Sequence, residues 1–345
     1  MPGYQLDSLS KRFGATVALN GVSFDAPRGS LVVVLGPTGA GKTTLLRALA
    51  GLEPLDAGRI VARHDDGRQT DITALPPAAR DMAMVFQNFS LYPRMSVAEN
   101  LAFPLRPRWR RIPRAQVQRR VHWAADLLGI TEKLAQRPTE LSGGQQQRVA
   151  IGRAIVREPQ LFLFDEPLAS LDAKLRESMV VEIHRLQRRL NVTMLYVTHD
   201  QTEAMGLADT IVVLDRGRVL QIGPPLEIYR RPVSPRVARM LGSPPINLLS
   251  PGQARLLGVS ATGRTIGVRP EDVCVARDGN GPATVRVVED LGATSTVTLH
   301  VAAAGTEGFA VRTIVGPAET LLTGQRCRLE AVPGRVLQWE APASA

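Results

Sequence analysis

Cysteine is almost missing from this chain of 345 residues: only Cys274 and Cys327 occur, far apart and with no His or Cys neighbour at metal-ligand spacing. That excludes a disulfide-stapled scaffold or a zinc knuckle and leaves two structural thiols. Aromatic residues are scarce, at 4% of the chain. No apolar run reaches the ~20 residues needed to cross a bilayer. The start, Met1-Pro2-Gly3-Tyr4-Gln5-Leu6-Asp7, has neither the basic opening nor the apolar stretch of a secretion signal. A cytoplasmic location is therefore expected, with any membrane role exercised through a partner. Internal repeats, coiled-coil heptads and long low-complexity tracts are also absent.

What is present describes an ordinary globular protein, with 44% apolar and 21% charged residues. The length is enough for two domains with their own cores. The formal charge of +10 could mean a nucleic-acid partner, or arginines spread over solvated faces. One cluster stands out: Arg106-Pro107-Arg108-Trp109-Arg110-Arg111-Ile112-Pro113-Arg114, continuing to Arg119 and Arg120, carries seven arginines and no acid. It reads either as a solvated loop and helix face or as a contact for anionic lipid headgroups or a membrane partner.

Leu31-Val32-Val33-Val34-Leu35 is a continuous β-branched run, as expected of a strand covered on both faces of a mostly parallel sheet. Leu161–Phe164 and Thr193–Val197 have the same character. Between such runs lie helical patterns; the clearest puts Leu175, Met179, Ile183, Leu186 and Leu190 on one face, with Arg185, Arg188 and Arg189 largely elsewhere. This alternation predicts an α/β fold over residues 1–240. Residues 88–157 interrupt it with Pro-, Arg- and Gln-rich, mainly helical sequence, expected to form an inserted helical subdomain. From Met240-Leu241-Gly242-Ser243-Pro244-Pro245 onward the texture changes. Short alternating runs at Thr265–Val268, Thr284–Val288, Thr296–Val301 and Arg326–Val332 predict a small all-β, barrel-like domain over 241–345.

Gly36-Pro37-Thr38-Gly39-Ala40-Gly41-Lys42-Thr43 fits the phosphate-loop pattern in full, between a strand ending at Leu35 and a helix through Leu45, Leu46 and Leu49. Its glycines free backbone N–H groups to wrap phosphates, and the helix N-terminus adds positive potential. Lys42 should reach the β- and γ-phosphates of ATP, and the Thr43 hydroxyl should ligate Mg²⁺; Thr44 follows in the same turn. Asp165 and Glu166 stand at a strand end, where ligands bind in such sheets. Asp165 is expected to hold Mg²⁺ through water, and Glu166 to polarise the attacking water. His199 ends another strand and fits a place beside the γ-phosphate, although a lone histidine is usually a structural or surface residue. Gln87 could reach Mg²⁺ or the lytic water from a mobile joint, or could be a bland loop residue. Phe13 is either core packing or a stacking platform for adenine.

A second anion-binding element has no nucleotide of its own. In Leu141-Ser142-Gly143-Gly144-Gln145 a hydroxyl and two glycines precede a helical run, and exposed N–H groups at a helix start bind anions. With one complete phosphate loop already present, this element implies a second copy of the ATPase.

Together these residues resemble the ATP-binding subunits of ABC importers. In that resemblance Phe13 corresponds to the adenine-stacking aromatic and Gly36–Thr43 to the Walker A motif. Gln87 falls on the Q-loop, Leu141–Gln145 on the signature and Leu161–Glu166 on Walker B. Ser170-Leu171-Asp172 falls on the D-loop and His199 on the switch histidine. The segments Leu75–Arg80, Met84–Gln87, Leu91–Pro93 and Met95–Asn100 resemble the carbohydrate and glycerol-3-phosphate importer subgroup. Gly242–Asn247 and Gly267–Glu271 resemble its linker and oligonucleotide-binding-like TOBE domain. Departures are Phe13 for the commoner Tyr, Gln146 for Arg after the signature, Arg94 for His, and a C-terminal domain shorter than in the maltose type. The resemblance implies ATP and Mg²⁺ as ligands and a dimer sandwiching ATP between Lys42 and Thr43 of one subunit and Ser142, Gly143, Gly144 and Gln145 of the other. It also implies two membrane-spanning permease subunits, an extracytoplasmic solute-binding protein acting indirectly, and a peripheral place on the cytoplasmic face of the membrane. No nucleic-acid partner is expected. Polyamine, iron or sulfate import are alternatives within the class, and a soluble ATPase acting on nucleic acid or the ribosome is the alternative outside it.

Overall fold

The computed structural model describes residues 3–64, 66–106, 112–260, 264–303, 306–317, 319 and 321–340. The chain falls into two compact units, Met1–Pro225 and Leu226–Ala345.

The first unit carries two sheets. Strands β1 (Gly3–Phe13) and β2 (Thr16–Ala26) form a long hairpin, and β4 (Ala57–Arg63) and β5 (Gln69–Asp71) extend it to the antiparallel order β2-β1-β4-β5. The second sheet is built on β3 (Leu31–Leu35), with β6 (Met82–Val85), β7 (Leu161–Asp165), β8 (Thr193–Thr198), β9 (Thr210–Asp215) and β10 (Arg218–Gly223) in the order β10-β9-β3-β8-β7-β6. All its pairs are parallel except the β9–β10 edge. β3, β7 and β8 are buried along their whole length, which is why their sequences are continuously apolar rather than alternating.

Helix α1 (Lys42–Ala50) follows β3, and its Leu45, Leu46 and Leu49 join a core shared by both sheets. Between β6 and β7 come α2 (Val97–Ala102), α3 (Arg114–Leu127) and α4 (Gly143–Ile155). Beyond β7, α5 (Ala173–Leu190) buries Met179, Ile183 and Leu186, three of the five residues in the predicted stripe. α6 (Gln201–Leu207) separates β8 from β9.

The second unit opens with α7 (Pro225–Arg230, all but its first residue) and α8 (Pro235–Arg239). The buried Arg269 side chain holds this stretch. It donates to the carbonyls of Tyr229, Ala238 and Leu241 and lies 3.9 Å from the Tyr229 ring centroid. These bonds explain why residues 226–240, which the sequence reading grouped with the first domain, pack with the second. Two all-antiparallel sheets follow. β11 (Asn247–Leu249), β12 (Arg264–Val268) and β18 (Leu337–Glu340) make one; β13 (Val273–Arg277), β17 (Arg326–Ala331), β14 (Ala283–Asp290), β15 (Ser295–Ala303) and β16 (Thr306–Val315) make the other. A single apolar core containing Ile266, Val285, Leu299 and Leu329 serves both. Cys274 is exposed on β13, and Cys327 is buried on β17 opposite Arg277, so the two are not cross-strand partners.

Candidate nucleotide site

The phosphate loop leaves β3 at Leu35 and enters α1 at Lys42. Gly41 adopts φ 103° at the helix start, a left-handed conformation that an L side chain rarely takes. The space is closed as well. A Cβ on Gly41 would lie 2.3 Å from the Ala18 carbonyl oxygen, and one on Gly36 would lie 2.1 Å from that of Leu214. Pro37, Thr38 and Gly39 face solvent, Ala40 is buried, and Thr43 is exposed beside the half-buried Thr44.

Lys42 is 4% exposed. Its Nζ donates to the carbonyls of Gly36 at 2.9 Å and Pro37 at 3.1 Å, and lies 3.1 Å from Glu166 Oε1. The other Glu166 oxygen, Oε2, is 2.8 Å from His199 Nδ1. Glu166 thus bridges the loop lysine and the histidine at the end of β8. It does so from a left-handed backbone at φ 44°, which costs a non-glycine residue about 1–2 kcal/mol and marks the bend where β7 ends.

The Thr43 hydroxyl donates to Asp165 Oδ1 at 3.0 Å. Burial is the main influence on Asp165 and raises its carboxyl above the ordinary value, and neighbouring Glu166 adds to the rise. The Thr43 hydrogen bond, Arg47 and Lys42 only partly offset it. A hydroxyl and a desolvated carboxylate side by side form a hard-oxygen donor pair with negative charge to spare. Mg²⁺ takes such ligands in small number and completes its shell with phosphates and water. Among the described residues no group of three or more His, Cys, Asp and Glu side chains could hold a metal unaided. The pair therefore fits an ion that arrives with its nucleotide.

Phe13 closes the β1–β2 hairpin opposite Thr16 and is 47% exposed, so it is not a core residue. Lys11 Nζ stands 5.2 Å from its ring centroid, held by Glu53 at 2.9 Å and Asp56 at 3.6 Å. Gln87 is exposed in the turn after β6, and no hydrogen bond among the described residues ties it to Thr43 or Asp165. Arg153 of α4 donates to the carbonyls of Phe89 at 3.0 Å and Ser90 at 2.6 Å just beyond it. There Met84, Phe86, Tyr92, Phe103, Arg153 and Arg157 line a cavity of about 390 Å³.

Ser142 caps α4. Its hydroxyl accepts from the Gln145 N–H at 3.4 Å, and the Gln145 amide oxygen accepts from the Ser142 N–H at 3.0 Å. Gly143 is open to solvent; Gly144 is not. A Cβ on Gly144 would lie 2.9 Å from the Leu175 methyl carbons, so this glycine lets α4 pack against the start of α5. Only the first of the two glycines matches the expectation of an unshielded backbone. No hydrogen bond among the described residues joins Ser142–Gln145 to the phosphate loop of the same chain.

Of the arginine cluster, residues 107–111 lie outside the described residues. Arg114 and Arg119 are exposed on α3, and Arg120 pairs with Glu158 at 3.0 Å. Two arginines elsewhere escaped a site-based reading of the sequence. Arg80 gives its guanidinium to four carbonyls, those of Thr73, Leu75, Ala48 and Leu49, the last two in the final turn of the phosphate-loop helix. Arg176 joins the loop after Glu166 to the turn after His199. Neither had a local signal, since what each one binds lies far away in sequence or on bare backbone.

Residues 19–169 match the family model described as ABC transporter. The sn-glycerol-3-phosphate import ATP-binding protein of Chromohalobacter salexigens is 48% identical over 313 residues, covering 85% of this chain and 83% of that protein. Its counterpart from Brucella abortus is 48% identical over 304 residues, 84% of this chain and 85% of that one. A third, from Agrobacterium fabrum, is 43% identical over 363 aligned positions, covering 100% of this chain and 94% of the relative. The fold is shared with a solved ATP-binding cassette of an ABC transporter in its ADP conformation. Its TM-score is 0.59 at 24% identity, and the match covers 69% of this chain and 98% of that one. The chain belongs to the ATP-binding proteins of the ABC transporter family. It is an ATPase, built as an α/β phosphate-loop domain with a helical insertion followed by an all-antiparallel β region.

Proposed function

We propose that this ATPase energises import of sn-glycerol 3-phosphate or of sugars. It would do so as a peripheral subunit on the cytoplasmic face of the membrane, joined to two permease subunits that receive solute from a binding protein. The observation that carries the solute class is the run of relatives named for sn-glycerol-3-phosphate import, at 43% to 52% identity. No helix among the described residues is long and apolar enough to cross a membrane, so the pathway would be supplied by partners. The cavity beside Gln87 supports a docking place for a permease segment. It exposes Tyr92 and Phe103 rings 4.4 Å apart, and Arg153 ties it to the signature helix.

Two cassettes form the working unit in this reading. ATP lies on residues 36–44 of one, with adenine on Phe13, and is closed over by Ser142, Gly143, Gly144 and Gln145 of the other. Thr43, Asp165 and Gln87 would hold Mg²⁺, which supplies charge neutralisation at the phosphates. Lys42 leaves its carbonyl and carboxylate partners to bind the β- and γ-phosphates. Glu166, freed of Lys42, accepts a proton from the attacking water, and His199 holds the γ-phosphate. Such catalysis is mostly positioning and electrostatic stabilisation. Residues 1–240 would act as the ATPase domain, with 88–157 as its permease-facing insertion, and 241–345 as the accessory β domain.

The test is to reconstitute the chain with its permease pair in vesicles and measure ATPase activity against a panel of solute-loaded binding proteins. Stimulation by glycerol-3-phosphate-loaded protein is expected. Stimulation only by polyamine, iron or sulfate would overturn the solute class, and salt-sensitive nucleic-acid binding without permease response would overturn the importer reading.

A further inference from the structure

Arg176 lies in the first turn of α5, four residues after the Asp172 cap, and its guanidinium reaches two separate segments. Nη2 donates to the Leu171 carbonyl at 2.9 Å, and Nη1 meets Asp200 Oδ2 at 3.3 Å. Nε has no hydrogen-bond partner and faces Glu203 Oε1 at 3.9 Å. Leu171 belongs to the loop that begins at Glu166, and Asp200 directly follows His199. One side chain therefore links the loop after β7 to the turn after β8.

The far end of this link is itself fixed. Asp200 divides its carboxylate between two tasks: Oδ2 receives Arg176, while Oδ1 accepts the N–H groups of Thr202 at 2.7 Å and Glu203 at 3.3 Å, capping α6. The Asp200 N–H donates to the Thr198 hydroxyl at 2.9 Å. Glu203 is 3% exposed and accepts the Tyr196 hydroxyl at 2.7 Å, which anchors α6 to β8, the strand that ends next to His199. On the near side, Asp172 caps Leu175, and the buried Leu171 packs within reach of the Gly143 position. His199 itself is exposed, and among the described residues its ring makes one hydrogen bond, to Glu166. Its backbone position is thus set by Asp200, and Asp200 is tied by Arg176 to the loop carrying Glu166.

We infer that Arg176 is a positioning residue for hydrolysis, keeping His199 and the Glu166–Asp172 loop in one register so that they move as a unit. The inference rests on the proposed role of His199 at the γ-phosphate. A planar guanidinium suits the task because its rigid fork holds a carbonyl and a carboxylate in fixed directions, whereas an ammonium is a compact charge with rotatable donors. Loss of the link affects the chemical step more than nucleotide binding, since no hydrogen bond or ion pair among the described residues joins Arg176 to Phe13 or the phosphate loop.

The experiment measures kcat, KM and ATP affinity of the full-length chain for Arg176→Gln, Asp200→Asn, His199→Ala and the Arg176→Gln/His199→Ala double variant. Asp200→Asn removes the ion pair while keeping an amide oxygen able to cap α6, so the test survives if Arg176→Gln fails to fold. Arg176→Gln or Asp200→Asn should lower kcat roughly tenfold or more with ATP affinity within about twofold, and Arg176→Gln should add nothing once His199 is Ala. A purely structural role would lower ATP affinity and kcat together and would add its loss in the His199→Ala background; either result overturns the inference. Undiminished turnover in His199→Ala overturns the assignment of His199, and this inference with it. A normal effect of His199→Ala beside unchanged kcat in Asp200→Asn overturns this inference alone.

Discussion

Lys42 Nζ lies 3.1 Å from Glu166 Oε1, so the ammonium expected to meet the nucleotide's phosphates is engaged by the carboxylate expected to activate water. The two roles exclude each other in this arrangement, because a glutamate paired with Lys42 is a poor base and a lysine paired with Glu166 is a poor phosphate ligand. In the proposed roles, phosphates that draw Lys42 away from Glu166 would free that carboxylate to act as the base. The pair satisfies both charges with 4% of the Lys42 and 17% of the Glu166 side chain exposed.

Glu166→Gln separates these effects. The amide no longer competes as a charge for Lys42, so ATP should bind as tightly as to the native chain or up to about tenfold more tightly, the scale of one charge-assisted hydrogen bond. Turnover should fall by roughly 10²-fold or more with the base gone. Equilibrium binding of a fluorescent ATP analogue and a phosphate-release assay measure the two. Weakened binding, or normal turnover, would remove Glu166 from the role given to it.

Asp165 gives a stability test with a definite sign. Burial raises its carboxyl above the ordinary value, so the folded state binds that proton more readily than the unfolded chain does. Its contribution is therefore most favourable at low pH and is lost as pH rises through the raised folded-state value. At neutral pH the ionised group costs free energy. Asp165→Asn keeps an oxygen for the Thr43 hydroxyl and removes the charge. Without nucleotide it should melt higher than the native chain at pH 7, by roughly 2–4 °C for each kcal/mol relieved, with the advantage shrinking on acidification. Mg²⁺-dependent hydrolysis should be lost. A lower melting temperature at pH 7 would contradict the desolvation argument.

Arg80 is a structural counterpart. It is 7% exposed, and its four acceptors are all backbone carbonyls, including the last-turn Ala48 and Leu49 of α1. A cation at a helix C-terminus also complements the dipole. Arg80→Met takes their shared donor from these carbonyls, of which only that of Ala48 also accepts the Gly51 N–H, at 3.1 Å, and should cost about 3 kcal/mol or more, read as a lower urea midpoint with an unchanged slope. Arg80→Lys should recover only part of it. A loss under about 1 kcal/mol would mean that water takes over the carbonyls.

The parts legible in the sequence were those with a local physical signature. β3, β7 and β8 are buried on both faces and spelled as unbroken apolar runs. The phosphate loop was legible because glycine is required where φ is positive and space is closed. In the second unit β17 alternates cleanly and β15 does so from Val297 to Val301, whereas a register shift between Val285 and Val287 interrupts the alternation of β14. β16 was missed, and its buried Thr313, whose hydroxyl donates to the Val273 carbonyl, breaks the hydrophobic alternation. The Glu166 bridge to Lys42 and His199 was not legible either. Each residue was recognisable alone, but their mutual pairing depends on β3, β7 and β8 lying side by side, a non-local fact. Nor can sequence tell a glycine that exposes an N–H from one that, like Gly144, admits a neighbouring Leu175.

That distinction sharpens the expectation for Ser142. Its hydroxyl and the Gln145 side chain cap α4 within one chain, while Gly143 keeps an open backbone beside them. Ser142→Arg removes the cap, which costs about 1 kcal/mol, and places a bulky cation where a partner's nucleotide would enter. The isolated chain should still fold and bind ATP with native affinity, because residues 36–44 are untouched. ATP-dependent dimerisation in a Glu166→Gln background, followed by size-exclusion chromatography with light scattering, should disappear, and hydrolysis in the otherwise native chain should fall to background. Loss of ATP affinity in the monomer would place Ser142 in the site of its own chain and refute the shared site. Retained dimerisation with normal hydrolysis would show that this surface does not close over nucleotide at all.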